Sequence, residues 1–597
     1  MAGAAPVAAT IDARGLVVPL AEFRARLGGS HKLAAVLRAL TVVEKVFIPK
    51  PYGAPEIRRA YDVRDDKRTL VLPRRLRSRL EGARCADGAP LLGAVTVRLA
   101  ATRALAADCG QGGPALYPYQ AATVELLCGP AGPLGPASIA RGEGSAYLSL
   151  DTGLGKSRIA GAVIARRREP ALVVVPTCAI ADQWVAELAA AFPRLRAAVY
   201  RNVLRRPPTA ASHDAVVVVV NTFREKEPAF LAGFGTVVLD EAHEYHSPCN
   251  CRALWLAQAR AVLGLSATPL GRPDGLDRFV VHHLGEPLRP TGVELPSFRG
   301  EVRKIVYTSH PDREVEVRTS AGAVSAIATI AALATDPERQ RLIAVEVARL
   351  LGRHTAAEAA GEGLGPRPAA AACPGRPAGE VRRHGVFVFA ELREHLIALR
   401  SALAEAVGEA ELFAPELDAA ADGPPSVSVL RGGVRRQEVE RAQRARVVLT
   451  TFGFSRRGIS LREMTAIVLA SPRRNGLKQI TGRILRQGSD ESICRVVVDV
   501  VDARSPLKKQ FGERRRVYDE RRFLVTQIRA NWEAFAQPAL PGGAPGPAPD
   551  LVVQGAGAAG PAPDPAVQAA AIRAASVTVP LAGAAEPPAA PGGGAGP

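Results

Sequence analysis

Ser149-Leu150-Asp151-Thr152-Gly153-Leu154-Gly155-Lys156-Ser157, running on as RIAGAVIARRR to residue 168, is the stretch on which the reading turns. It follows the apolar run AYLSL and opens a helical run. Glycines let a backbone curl until its N–H groups face phosphate oxygens, and a helix start adds its positive dipole. In that setting Thr152, Gly153, Leu154 and Gly155 form the cradle for ATP. Lys156 reaches the β- and γ-phosphates, and the Ser157 hydroxyl takes a Mg²⁺ position. The strict phosphate-loop pattern wants glycine where this chain has Leu150, so the string alone fits a Gly-rich turn equally well.

The flanking sequence narrows this. ALVVVP (171–176), DAVVVVV (214–220), TVVLD (236–240) and AVLGLS (261–266) are short, nearly continuous apolar runs separated by helical segments. Such runs mark parallel strands buried on both faces. A second alternating region carries GVFVFA (385–390), RVVLTT (446–451), TAIVLA (465–470) and CRVVVDVV (494–501). Its opening helix has a clean start, with Asp336 as cap and Pro337 in the first helical position. Ile343, Val347, Leu350 and Leu351 then recur at helical spacing.

TVVLD runs into Asp240-Glu241-Ala242-His243, 84 residues after Lys156. A carboxylate at the carboxyl end of a buried strand sits where open α/β sheets bind ligands. Asp240 is the candidate Mg²⁺ ligand and Glu241 the candidate to polarise the attacking water, although such a pair can also simply cap a helix. Ser266-Ala267-Thr268-Pro269 follows at the end of another apolar run. Gln479-Ile480-Thr481-Gly482-Arg483-Ile484-Leu485-Arg486 lies in the second region. Arg483 and Arg486, three apart, would share one face of a helix, and guanidinium groups suit the charge of a phosphoryl transition state.

Taken in order, these strings resemble the superfamily 2 helicases and translocases, with DEAH as the acidic motif. The resemblance covers roughly residues 114 to 505. It implies an α/β fold of two tandem RecA-like lobes, with ATP held in the cleft between them. It also implies that Gln120, in LYPYQ, reads the adenine, and that Pro176, Thr177, Gln183, Asn221 and Thr222 grip a nucleic-acid backbone. Ser266 and Thr268 would couple hydrolysis to lobe movement, with His243 making a lobe contact and Gln479 joining the two arginines in the catalytic set. One departure stands out: the second-lobe motif that usually reads Gly-x-Asp is Gly458-Ile459-Ser460.

Phe47-Ile48-Pro49-Lys50, DPERQRLI (336–343), Leu392-Arg393-Glu394-His395 and the placement of LYPYQ are similar to the poxvirus transcript-release helicase and its relatives in large cytoplasmic DNA viruses. That resemblance implies a DNA helicase, acting also near RNA and viral polymerase or transcription factors, in the infected-cell cytoplasm or virion core. Repair helicases and restriction-type translocases are close alternatives. A nucleic-acid-binding scaffold without turnover is the alternative from another class.

Composition supports these expectations. Lys and Arg number 77 against 58 Asp and Glu, a formal charge of +19. Residues 537–597 carry one cation and three anions, which leaves +21 on residues 1–536. That excess suits a polyanion, though it also suits plain solubility. Eight cysteines in 597 residues are too sparse for a disulfide framework and point to a reducing compartment. The start lacks a signal-peptide pattern and no run of membrane-spanning length occurs. His243, His246, Cys249 and Cys251 cluster without the usual zinc spacing, so free thiols are expected. The basic stretch 504–529, with nine cations and three anions, is a candidate for phosphate contact.

The expected organisation is an N-terminal α/β module (1–113), lobe 1 (114–285), an interlobe segment (286–334) and lobe 2 (335–536). Lobe 2 carries a low-complexity insertion at 354–380. Residues 537–597, rich in Pro, Gly and Ala, read as a disordered tail.

Overall fold

The computed structural model describes residues 5–536 except 13–14, 46–53, 65–66, 258, 292–297, 352–383, 408–426, 432–437, 439–441, 443–444, 456–460, 462–463, 487–488 and 490–492. The 354–380 insertion, the 537–597 tail and Gly458-Ile459-Ser460 therefore lie outside the described residues. The chain divides into two compact units, with the boundary in the sequence near residue 293 and residues 151–155 grouped with the second.

The first unit opens with β1 (Val7–Asp12), β2 (Gly15–Pro19), α1 (Leu20–Leu27) and α2 (Ser30–Ala39). The short strands β3 (Thr41–Val43), β4 (Ile57–Arg59) and β5 (Asp62–Val63) follow, then β6 (Thr69–Leu72) and β7 (Leu92–Val97). They form a mixed sheet in the order β5-β6-β2-β1-β7 and a separate two-stranded ribbon, β3-β4.

After these come α3 (Pro118–Cys128), β8 (Ser145–Ser149), α4 (Lys156–Arg167), β9 (Ala171–Val175), α5 (Cys178–Ala191) and β10 (Ala197–Val199). The unit finishes with β11 (Ala215–Val219), β12 (Thr236–Leu239), β13 (Ala261–Ser266), α6 (Asp277–Leu284) and β14 (Pro287–Leu288). Its main sheet is ordered β10-β11-β9-β12-β13-β8-β14, and every pairing in it is parallel. β8, β9, β12 and β13 are buried at every position, as helices on both faces of a parallel sheet require.

The N-terminal module shares its core with this sheet. One apolar cluster joins Ile11, Leu16, Phe23 and Leu70 to Leu172, Val216, Val237 and Phe279. Arg74, 3% exposed, stitches the two parts: its guanidinium donates to the carbonyls of Ala259 and Gly144. Burial, with Arg167 and Arg75 nearby, pulls its pKa down to about 9. Arg103 reaches Asp214 at 2.6 Å, and Ser78 donates to Glu143 at 2.8 Å.

The second unit contains β15 (Gly300–Thr308), α7 (Pro337–Leu350), β16 (Gly385–Ala390), α8 (Arg393–Val407), β17 (Val427–Leu430) and β18 (Val447–Thr451). It continues with β19 (Met464–Leu469), α9 (Leu477–Thr481), β20 (Arg495–Asp502), α10 (Phe511–Glu520) and β21 (Leu524–Asn531). These strands also form a wholly parallel seven-stranded sheet, β17-β18-β16-β19-β20-β15-β21. The two sheets give the tandem RecA-like lobes that the sequence led us to expect. The start of α7 follows expectation in detail: Asp336 accepts from Arg339 N at 3.0 Å and Pro337 occupies the first turn.

β15 differs from expectation. Its residues fall in the expected interlobe stretch, yet it lies inside the second sheet between β20 and β21. Among the described residues no helix is long and apolar enough to cross a membrane.

Candidate nucleotide site

β8 delivers the chain to the carboxyl edge of the first sheet, and the phosphate-type loop turns there. Leu150 N donates to Ser266 O at 3.0 Å, extending the β8–β13 ladder by one residue. Leu150 is 3% exposed and absent from the positive-φ residues, so nothing at this position demands glycine. The left-handed turns come later, at Gly153 (φ 92°) and Gly155 (φ 74°), where a side chain would be strained. Lys156 then starts α4, and its Nζ donates to Leu150 O at 3.1 Å. The lysine thus folds back over the loop that it follows.

β12 carries Asp240 to the same edge, two strands away. Its backbone N–H donates to Val174 O at 2.9 Å and Trp184 Nε1 donates to its Oδ2 at 2.9 Å. Burial first, then the charge of Glu241, raises the Asp240 pKa to about 6, while Lys156 pulls against them. A carboxylate held at such a cost gains from a cation. The all-oxygen pair, Asp240 carboxylate and Ser157 hydroxyl, suits a hard ion such as Mg²⁺.

Glu241 has φ 46° and ψ 47°, a left-handed conformation that is costly for a side-chain-bearing residue. Its Oε2 lies 3.3 Å from His243 Nδ1, which is 3.0 Å from Ser266 Oγ. Ser266 Oγ in turn accepts from Thr268 N at 3.0 Å. A polar chain thus runs from the acidic turn to the segment that leaves β13, through four of the residues singled out in the sequence.

Other expected residues have identifiable local jobs. Ser157 Oγ donates to Glu187 on α5, and Gln183 Nε2 donates to the same carboxylate at 2.6 Å. Gln120 is 1% exposed; its Oε1 accepts from Tyr117 N at 3.2 Å and its Nε2 donates to Tyr119 OH at 3.1 Å. Its amide therefore shapes the start of α3. Arg158 on α4 pins the same segment by donating to Pro114 O (2.6 Å) and Ala115 O (2.7 Å). Thr177 caps α5 by accepting from Ile180 N at 3.4 Å, while Asn221 is exposed and Thr222 half-buried after β11.

In the second unit α9 is five residues long and stops at Gly482, so Arg483 and Arg486 do not share a helix face. The reason is local. The chain tightens into three-residue turns (Arg483 N to Ile480 O, 3.0 Å; Ile484 N to Thr481 O, 3.2 Å). Fully buried Arg495 then takes Ile484 O at 2.7 Å and Ser489 Oγ at 2.8 Å. Gln479 and Arg483 still converge, on a small surface depression that Phe452, Arg473 and Asn475 also line.

The neighbouring segment is braced from below. Arg514 pairs with Asp499 through two contacts, 2.8 and 2.9 Å, and donates to Arg473 O at 2.9 Å. Tyr518 OH adds a 2.7 Å bond to Asp499. Much of the basic 504–529 stretch is consequently committed internally: Arg515 to Asp519, Arg516 to Glu513, Lys508 to Ala503 O and Arg504 to His310 O. Trp184, Glu187, Arg158 and Arg495 were not singled out in the sequence.

Two parallel-sheet lobes, with a phosphate-type loop and an acidic turn on one edge of the first, define a superfamily 2 helicase. Residues 114–271 match the family of type III restriction enzyme res subunits. "Putative ATP-dependent RNA helicase QP509L" of African swine fever virus is 41% identical over 392 residues, 65% of this chain and 71% of that protein. The chain belongs to that viral helicase family. "Putative helicase 109L" of Invertebrate iridescent virus 3 is 29% identical over 135 residues, 22% of this chain and 41% of that one. Among solved structures, S. cerevisiae Dbp5 bound to RNA and ADP BeF3 aligns with 71% of this chain and 92% of its own, at 13% identity and TM-score 0.42.

Proposed function

We propose that this protein is an ATP-dependent helicase or translocase that moves along nucleic acid during viral transcription, with DNA as its track and transcript release as its task. The observation that carries the reading is the grouping of Lys156, Ser157, Asp240 and Glu241 at one sheet edge, with the Glu241–His243–Ser266–Thr268 chain leading away from it. Lys156 neutralises the terminal phosphates of ATP, and Glu241 orients and polarises the attacking water. Ser157 and Asp240 would hold Mg²⁺, which when bound offsets phosphate charge. His243 and Ser266 relay the state of Glu241 toward Thr268. Gln479, Arg483 and Arg486 supply second-lobe groups for the phosphoryl charge. Thr177, Asn221 and Thr222 contact backbone phosphates with little base specificity.

The scaffold alternative drew support from Leu150 and Ser460; the ladder bond to Ser266 accounts for Leu150 without loss of the loop, and Ser460 lies outside the described residues. RNA as the track is the other reading, favoured by the name of the African swine fever virus relative. A nucleic-acid-stimulated ATPase assay decides turnover: wild type must exceed Lys156→Ala and Glu241→Gln by roughly 100-fold or more. Equal rates refute the motor. Strand displacement on matched DNA and RNA duplexes then assigns the track.

A further inference from the structure

We propose that Arg58, on the two-stranded ribbon of the N-terminal module, is a positioning residue for ATP hydrolysis: it caps the acidic turn from outside the lobe and holds Glu241 in its working conformation. The proposal rests on the hydrolysis reading above and brings the N-terminal module into it. Glu241, with its left-handed backbone, is followed by a single 3₁₀ turn, Ala242–His246, that has no side-chain cap at its start. Such a conformation persists only where the surroundings over-determine it. The last carbonyls of so short a turn have no partner within it. One of them is met from 188 residues away: Arg58 Nε donates to His246 O at 2.8 Å.

The ribbon is built to deliver that bond. In the β3–β4 pairing Val42 lies opposite Arg58, Val43 opposite Ile57 and Thr41 opposite Arg59. Neighbouring positions on a strand face opposite ways, so Val42 and Arg58 share the inner face. Val42 packs on the apolar core of the first unit, while Val43 and Ile57 are 50% and 49% exposed. The Arg58 side chain is only 10% exposed. Its Nη2 donates to Glu56 Oε2 at 2.6 Å and its Nη1 to Ile57 O at 3.1 Å, which fixes the guanidinium with Nε toward His246.

From His246 the contacts run back to the chemistry. His246 Nδ1 donates to His243 O at 2.6 Å, and the His243 ring lies between Glu241 and Ser266. The ribbon also holds the far end of that polar chain. Lys45 N, just beyond β3, donates to Asp274 O at 2.9 Å, on the segment that continues from Thr268. The turn there is closed by Leu276 N and Arg272 Nε, which donate to Asp274 Oδ1 at 3.1 and 3.0 Å. Both ends of the Glu241–His243–Ser266–Thr268 chain are thus tied to one short ribbon. A contact that only docks the module predicts lost stability. A brace on Glu241 predicts slower hydrolysis with nucleotide binding intact, because the Lys156 loop leaves the sheet two strands away.

The test measures nucleic-acid-stimulated ATP hydrolysis by the full chain, with kcat and KM for ATP read separately. Arg58→Met keeps the apolar stem and removes the donor; kcat should fall about tenfold, with KM within about twofold of wild type. Arg58→Lys restores a cation without the planar fork and should recover part of the loss. Arg59→Ala, on the exposed outer face, should match wild type. Arg58→Met at the wild-type rate overturns the brace. So does a fall in kcat with a matching rise in KM, or a lysine variant no faster than the methionine one. If Arg58→Met does not fold, Arg58→Lys decides alone: a reduced kcat at unchanged KM supports the brace, and parity with wild type overturns it. If wild type itself shows no stimulated turnover, it is the functional reading that fails.

Discussion

Lowering the pH from 7 to 5 probes the second lobe through two buried histidines. His384 is 3% exposed, with Nδ1 2.9 Å from Thr465 Oγ1, and His395 is 2% exposed, with Nδ1 3.3 Å from Ser471 Oγ. The Nε2 atom of each is buried without a hydrogen-bond partner. Burial, aided by Arg495, pushes His384 down to about 4; burial, aided by Arg339, pushes His395 down to about 3. Both folded values lie below the ordinary 6.5, so between them the unfolded chain binds the extra protons. Stability is then full above about pH 6.5 and is lost as the pH falls. For one histidine the loss between pH 7 and 5 is about 2 kcal/mol, hence about 4 kcal/mol for the pair.

Hydrogen exchange of β16 and β19 amides, corrected for intrinsic rates, reads this directly. Wild type should lose about 4 kcal/mol of opening free energy at pH 5, and His384→Gln with His395→Gln should lose little. An acid-insensitive wild type, or a double variant equally sensitive, refutes the reasoning.

Arg514→Leu strands the Asp499 carboxylate in the second lobe and should cost about 3–5 kcal/mol in urea unfolding; adding Asp499→Leu should recover much of it. Asp336→Ala removes the α7 cap and the acceptor for Tyr307 OH, together about 2–3 kcal/mol, read from the same unfolding curves. Trp184→Phe removes the donor to Asp240 and keeps an aromatic ring in its place, at the loss of three buried heavy atoms. It should lower kcat for ATP about 10- to 100-fold while the melting temperature stays close to wild type.

The strands that were legible in the sequence are those whose residues face helices on both sides. Val-rich β9, β11, β12 and β13 needed no tertiary knowledge. β15 was not legible because Glu301, Arg303 and Lys304 interrupt its apolar run. Arg303 is buried against Glu346 on α7, at 3.1 Å and 43 residues away. The phosphate-type loop and the acidic turn were legible because each is contiguous. Trp184 and Glu187 were not, since they reach the site from an ordinary-looking amphipathic helix. Arg483 and Arg486 were placed on a helix by their spacing alone. The turn that overrides that spacing is held by Arg495, and its register could be known only once β20 was in place.

The bond from Trp184 to Asp240 has an optical consequence. The chain holds three tryptophans, and their surroundings differ. Trp184 grips the acidic turn, Trp255 lies edge-on to His283 at 4.6 Å, and Trp532 lies beside His310 at 4.3 Å in the other unit. Indole emission shifts with the charge of a hydrogen-bonded carboxylate and is quenched by a protonated imidazole. With Trp255→Phe and Trp532→Phe in place, the remaining emission becomes a label-free signal from the Asp240 carboxylate, able to follow nucleotide loading in a stopped-flow cuvette without any dye.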